Sequence, residues 1–376
     1  MTLSAFDDYL IHQIVEPVRH VETSDRNFYD RHYFNLYAPD GSFFLIVGMG
    51  QYPNLGTQDA FALYGNRSGQ IALRSSRLLG DRSDMQVGPI SIEVLEGLKR
   101  LRIVVGPNET GLECDVIFEG THAPSLEPRS VNRVNGRVLH DIMRYNQVGS
   151  YQGDVRFKGD AAPASGKAMR GYRDRSWGIR PVGEIEPDGV RKVSVGGSAS
   201  AASNFQFVKI AADFIDFGIH LNVIEHDGSR RSVDQAEIVR PGNHGVEHLG
   251  QARFDFEFTS DRRFIERAVI VFGDGTSRGR TLSITPLVPV YIEAGSGYGR
   301  AARDEWTHGV FRGDDVTDSL SFDFSVPDKR LYGGIDAFSR FEFEGSVGHG
   351  LFEYSLFGKL DRLGFPGPGY FNQIAG

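Results

Sequence analysis

The 376-residue chain holds one cysteine, two tryptophans and five methionines. Cys114 alone cannot close an intrachain disulfide, so the fold owes nothing to an oxidising compartment and the cytoplasm is the expected location. Nowhere do 18 apolar residues run together, which argues against a helical membrane span. The first twenty residues, MTLSAFDDYLIHQIVEPVRH, lack a basic leader and a continuous apolar stretch, so no secretory signal is read there. Lysine and arginine are scattered, and the net charge is -8, so no electrostatic footprint for nucleic acid or anionic lipid is present. Small uncharged or cationic ligands stay open. Neither His-x-His nor Cys-x-x-Cys spacing occurs, and no metal is expected. The Gly-rich stretches GDGTSRGR (273–280) and GSGYGR (295–300) lack the phosphate-loop pattern and its βαβ context, and read as turns.

What is abundant points to strands. There are 46 glycines, 27 phenylalanines and 14 tyrosines, the composition of strands joined by tight turns. Apolar residues Phe6, Leu10, Ile14, Val15 and Val18 recur at helical spacing until Pro17 weakens the pattern, which predicts a short N-terminal helix. From Tyr33 the pattern becomes short apolar runs cut by turns, as in YFNLYAPDGSFFLIVGMGQYPN and FALYGNRSGQIALRSSRLL. Such regular spacing predicts an all-β sandwich or barrel. The length suits two domains, and the polar, proline-marked stretch PVGEIEPDGVRK between Arg180 and Ser194 is the natural linker, giving domains 1–185 and 186–376. GDAAPASGKA (159–168) reads as a surface loop. YFNLYAPDGS (33–42) and IHLNVIEHDGS (219–229) echo one another weakly, but an Asp-Gly hairpin is common in any β protein and chance explains the echo more often than duplication does.

The most chemically loaded decapeptide is GYRDRSWGIR (171–180). On a strand, Tyr172, Asp174 and Ser176 share one face, and Arg173, Arg175 and Trp177 the other. If the first face looks into a lumen lined by Phe and Tyr, Asp174 is poorly hydrated and its pKa rises unless a cation reaches it; a carboxyl kept protonated is a proton donor. The bland alternative is a buried ion pair of Asp174 with Arg175 or Arg180 that pins a domain junction under Trp177.

The segment GYRDRSWGIRP, with DRHYFNLYAPDGSFFLIVGMGQYPN upstream, resembles the double-lipocalin superfamily of carotenoid 1,2-hydratases and AttH-like proteins, and more distantly tocopherol cyclases and fungal lipocalin-like Diels-Alderases. The resemblance implies two lipocalin-like antiparallel β-barrels in tandem, with a ligand cavity at or near their interface. It implies that Tyr172 and Asp174 belong to an active site, the aspartate protonating an isolated double bond. The hydratases carry a His-x-Trp pair about 27 residues earlier, where this chain has Tyr145 and Gln147.

The expected activity is therefore cofactor-independent hydration, cyclisation or isomerisation of an isoprenoid, steroid or polyketide-like molecule; the alternative is a carrier of a lipophilic small molecule without turnover. Aromatic faces would stabilise a carbocation. Trp177, Tyr145 and Gln147 are candidate substrate contacts, as are Tyr52 and Asn54 in MGQYPNLG and Trp306 and His308 in DEWTHGVFRG, although a turn-forming Asn and a structural His are the commoner cases. Exposed strand edges leave a homodimer open.

Overall fold

The computed structural model describes residues 3–373 other than 39, 135, 159, 162–168, 182–203, 243–244, 274–278 and 299–305. The expected division at 185/186 falls outside these residues, as does most of the loop predicted at 159–168.

Alternation of apolar and polar residues produces strands almost everywhere. The first half contributes β1 (Phe28–Tyr37), β2 (Phe44–Tyr52), β3 (Thr57–Asn66), β4 (Gly69–Leu78), β5 (Gln86–Val87), β6 (Ile90–Glu96) and β7 (Arg100–Val105). It continues with β8 (Leu112–Gly120), β9 (Ser125–Leu126), β10 (Ser130–Val134), β11 (Arg137–Phe157), β12 (Asp160–Ala161) and β13 (Met169–Ile179). The second half contributes β14 (Phe205–Asp213), β15 (Gly218–His226), β16 (Arg230–Val239), β17 (Val246–His248), β18 (Ala252–Phe258) and β19 (Ile265–Phe272). It ends with β20 (Arg280–Tyr291), β21 (Asp315–Asp323), β22 (Ile335–Phe343), β23 (Ser346–Leu360) and β24 (Phe365–Tyr370).

These strands form two curled antiparallel sheets, the two tandem lipocalin-like barrels. The first runs β21-β4-β3-β2-β1-β13-β11-β8-β7-β6-β5, with β9, β10 and β12 also on β11; the second runs β17-β16-β15-β14-β23-β22-β20-β19-β18, with β24 on β23. Both sheets are wired alike. Four strands are laid down in order, and the first of them is then closed against a late one, β1 on β13 and β14 on β23. The repeat lies in this wiring and not in the quoted Asp-Gly-Ser echo, because 33–42 leaves the first strand of its sheet whereas 219–229 leaves the second. One strand crosses over: β21, from the second half, pairs with the edge strand β4 of the first sheet. It covers an edge that would otherwise offer unpaired backbone groups.

The short N-terminal helix is a single 3-10 turn, Ala5–Asp8, closed by a capping box from Ser4 and Asp7. The predicted helix does not continue, and Leu10 and Val15 are fully exposed. Spacing alone sustains no helix when its apolar stripe has no surface to cover.

Burial separates two kinds of strand. β7 and β8 alternate strictly, with Leu101, Ile103, Cys114, Val116 and Phe118 inside the first barrel and Arg102 and Asp115 paired in solvent. β2 is buried along its whole length and β3 nearly so, because the second barrel lies against their outer face. Tyr37, Phe44, Ile46, Val148 and Tyr172 of the first barrel pack there on Ala211, Val288, Val290, Phe338 and Leu351 of the second. Among the described residues no helix is long and apolar enough to cross a membrane.

Candidate functional site

Strand pairing assembles two polar rows on the facing outer walls of the barrels. On the first, Tyr33, Asp174, Asn146 and Ser125 are cross-strand neighbours on β1, β13, β11 and β9. On the second, Asp336, Glu353, Lys209, Asn222 and Gln235 follow one another across β22, β23, β14, β15 and β16. Facing charges then pair between barrels. Lys209 Nζ lies 3.3 Å from Asp174 Oδ2 and 3.3 Å from Glu127 Oε1. Glu127 also accepts from Asn146 at 2.8 Å, from Asn222 at 3.0 Å and from Arg144 at 3.4 Å. Arg144 Nε stands 3.9 Å from Asp174 Oδ1. The Tyr172 hydroxyl donates to Asn146 and lies 3.2 Å from Asp174 Oδ2. Tyr33 donates to Asp336 Oδ2 at 2.6 Å, while Oδ1 of that carboxyl has no partner.

Counting charge decides where protons sit. Four carboxyl groups, Glu127, Asp174, Asp336 and Glu353, meet two cations, Lys209 and Arg144. Burial works to raise Glu127, but Lys209, Arg144 and Asn146 outweigh it and hold this carboxyl down at about 2. Asp336 goes the other way: burial and then neighbouring Glu353 push it well above the ordinary carboxylate range, only partly offset by the Tyr33 hydrogen bond and Lys209. Glu353 is raised as well, first by burial and then, against Lys209 and Arg144, by Asp174 and Glu127. Two acids side by side without a cation of their own share protons as a unit. Tyr33 and Tyr172 are raised well above their normal range by burial and adjacent carboxylates, so both stay hydroxyl donors.

The alternation read from GYRDRSWGIR holds, but the direction does not. Tyr172 and Asp174 look outward between the barrels instead of into a lumen, and the surroundings of Asp174 are charged rather than oily. A cation does reach it. The expected partner Arg175 pairs with Asp30 on the other face of the strand, and Arg180 lies over the rings of Tyr29 and Tyr298.

A model of one protein family matches residues 3–366. The chain belongs to DUF8625, a family of unknown function. No protein of curated function matches it. Among solved structures, an AttH-like protein from Nitrosomonas europaea shares the fold at 11% identity and TM-score 0.53, over 88% of this chain and 93% of its own. Kievitone hydratase from Nectria haematococca aligns at 12% identity and TM-score 0.41 over 94% and 95%, and CghA at 11% and 0.44 over 88% and 87%.

The remaining predicted residues of this DUF8625 chain divide into three places. Tyr145 and Gln147 lie on the lumen side and serve Arg173, which donates to Gln147 Oε1 at 2.7 and 2.9 Å and to the Tyr145 hydroxyl at 3.1 Å. Trp177 packs edge-on against Tyr145 there. Asn54 bridges the carbonyls of Thr23 and Asp25, at 2.8 Å each, and so ties down the N-terminal segment. Tyr52 and His308 meet in a second buried cluster around Asp59, with His308 Nδ1 3.4 Å from Asp59 Oδ2, while the buried Trp306 lies under the guanidiniums of Arg74 and Arg312.

Lys209, Asp336, Glu353, Glu127 and Arg144 were missed by sequence reasoning. A signal existed for three of them, each being a lone charged residue inside an apolar strand: FVKIAA, IDAF and LFEYSLF.

Proposed function

We propose that the inter-barrel cluster is a proton-transfer site for a small apolar molecule of isoprenoid, steroid or polyketide type, worked by the chain's own carboxyl groups. The observation that carries this reading is Asp336. Its carboxyl is 1% exposed, bonded on one oxygen to Tyr33 and bare on the other, beside the half-buried Glu353. Burial and Glu353 push it well above the ordinary carboxylate range, and a carboxyl so raised is suited to donate a proton.

The acid is therefore reassigned from Asp174 to the Asp336–Glu353 pair. The pair gives its proton to one carbon of a double bond, a C–H bond forms as the π bond is lost, and the positive charge on the neighbouring carbon faces the rings of Tyr33 and Tyr172. Water attacks that carbon, or an adjacent C–H is lost, and Asp174, ion-paired to Lys209 and touched by Tyr172, accepts the released proton. The first outcome is hydration and the second isomerisation. The family resemblance of the Tyr172–Asp174 motif supports placing both in the machinery.

The Asp174–Lys209 ion pair favours one other reading, a carrier with the same cluster and no turnover. Incubating the purified protein in D2O with the lipophile extracted from it separates the two. An enzyme adds deuterium to carbon, read as a mass gain that Asp336→Asn abolishes. A ligand returned with unchanged mass identifies the carrier, and a gain undiminished in Asp336→Asn removes the acid role.

A further inference from the structure

The second buried cluster contains a charge that the first does not explain. Arg31 lies on β1, two residues before Tyr33, so its side chain points to the same wall about 7 Å away. It is 3% exposed, and among the described residues its Nη1 has no hydrogen-bond partner. Its guanidinium lies instead over the rings of Tyr298, at 4.9 Å, and Phe61, at 5.8 Å. Arg180 reaches the same Tyr298 ring at 5.2 Å and the Tyr29 ring at 4.5 Å. The Tyr29 hydroxyl, fully buried, is also without a partner.

Local acids do not balance this. Among the described residues of the cluster Asp59 is the one carboxylate, and both of its oxygens are engaged: Oδ1 by the Tyr52 hydroxyl at 3.3 Å, Oδ2 by the Gly309 N–H at 2.8 Å and His308 at 3.4 Å. His308 itself is depressed to about 4, mainly by burial, and is neutral at pH 7. Among the described residues, Arg31 and the partly buried Arg180 face one carboxylate, Asp59, and Arg31 Nη1 stays unbonded beneath aromatic rings. A buried cation without a bonded partner is strongly disfavoured. Gly50 keeps this wall low, since a Cβ there would come within 2.6 Å of the Tyr52 hydroxyl and 3.0 Å of Arg31 Cγ.

We infer that the ligand of this protein is an apolar carboxylic acid whose carboxylate docks on the Arg31 guanidinium, beside Arg180 and the Tyr29 hydroxyl. A carboxylate matches the planar fork of a guanidinium and pairs its one negative charge with the one unbonded guanidinium, whereas a phosphate monoester brings about two. The placement of the rest of the molecule rests on the inter-barrel reading: Arg31 faces Ser176 across β1 and β13, so a carboxylate held there directs its apolar body toward the neighbouring rings of Tyr33 and Tyr172.

Calorimetric titration at pH 7 with 2-naphthoate and with its neutral methyl ester tests this without needing turnover. The acid binds wild-type protein at least about tenfold more tightly than the ester, and Arg31→Gln erases the preference. Absence of deuterium transfer in wild-type protein that shows the acid preference would bring down the catalytic reading alone. Equal binding of acid and ester, no binding of the acid, or a preference surviving in Arg31→Gln overturns the anion site. If Arg31→Gln does not fold, Ser176→Asp places a competing carboxylate opposite Arg31. An acid preference that persists in that variant is equally fatal.

Discussion

Arg173 and Asp174 are consecutive, charged and largely buried, yet the two faces of β13 solve the problem of a buried charge differently. Inside the first barrel, Arg173 is solvated by neutral oxygens of Gln147 and Tyr145 and covered by the rings of Phe118 and Tyr145. Each partner comes from the same sheet. Between the barrels, Asp174 is met by an ammonium from the other sheet, and the surrounding carboxyls outnumber the cations. The first arrangement is closed and self-sufficient, as a structural site is. The second leaves Asp336 Oδ1 bare and raises the carboxyl pair above the ordinary range, the features on which the proposed proton-transfer role rests.

The sharpest way to break this contrast is Lys209→Met. It removes the 3%-exposed ammonium shared by Asp174 and Glu127 and leaves buried carboxylates with Arg144 alone, so urea unfolding should show a loss of about 3–5 kcal/mol. A loss below about 1 kcal/mol would mean that water, not lysine, compensates these acids. Arg173→Met should cost less, about 1–3 kcal/mol, because neutral oxygens are left unsatisfied but no opposing charge is stranded. If the two variants reverse in order, the lumen rather than the interface carries the critical charge.

The smallest effect is a slope. Asp336 has a folded pKa raised well above its unfolded value near 4, so its contribution is fully present below about pH 4 and is lost as pH rises toward the folded pKa. Wild-type stability therefore declines through that window by up to about 1.4 kcal/mol per pH unit from this group. Asp336→Asn makes the decline shallower, measured as unfolding free energy at several pH values. Glu127, held at about 2, works oppositely, and its contribution disappears as pH falls from about 4.5 toward 2. An unchanged slope in Asp336→Asn would show that the proton resides elsewhere.

Much of the architecture was legible, for identifiable reasons. The strict alternation of β7 and β8 exposes its period directly, since one face is wet. β2 and β3 carry no such period, because two barrels dry both faces, and they were legible only through the turns that bound them. Exchange of β21 to the first sheet left no trace in the pattern, because edge pairing uses backbone groups that every residue carries. In the site, Tyr172 and Asp174 stood out by their motif and lie together between the barrels, while the Asn54 side chain holds the carbonyls of Thr23 and Asp25.

The amino-acid order by itself determined the strands, the turns between them and which side chains share a face, because those follow from a two-residue period and from glycine, asparagine and proline chemistry acting over a few positions. Only the tertiary structure decided what each face meets. Lys209 and Asp174 are 35 residues apart, and Tyr33 and Asp336 are 303. Whether a carboxyl among them holds a proton depends on distances and dielectric across the packed walls, quantities that no local pattern encodes.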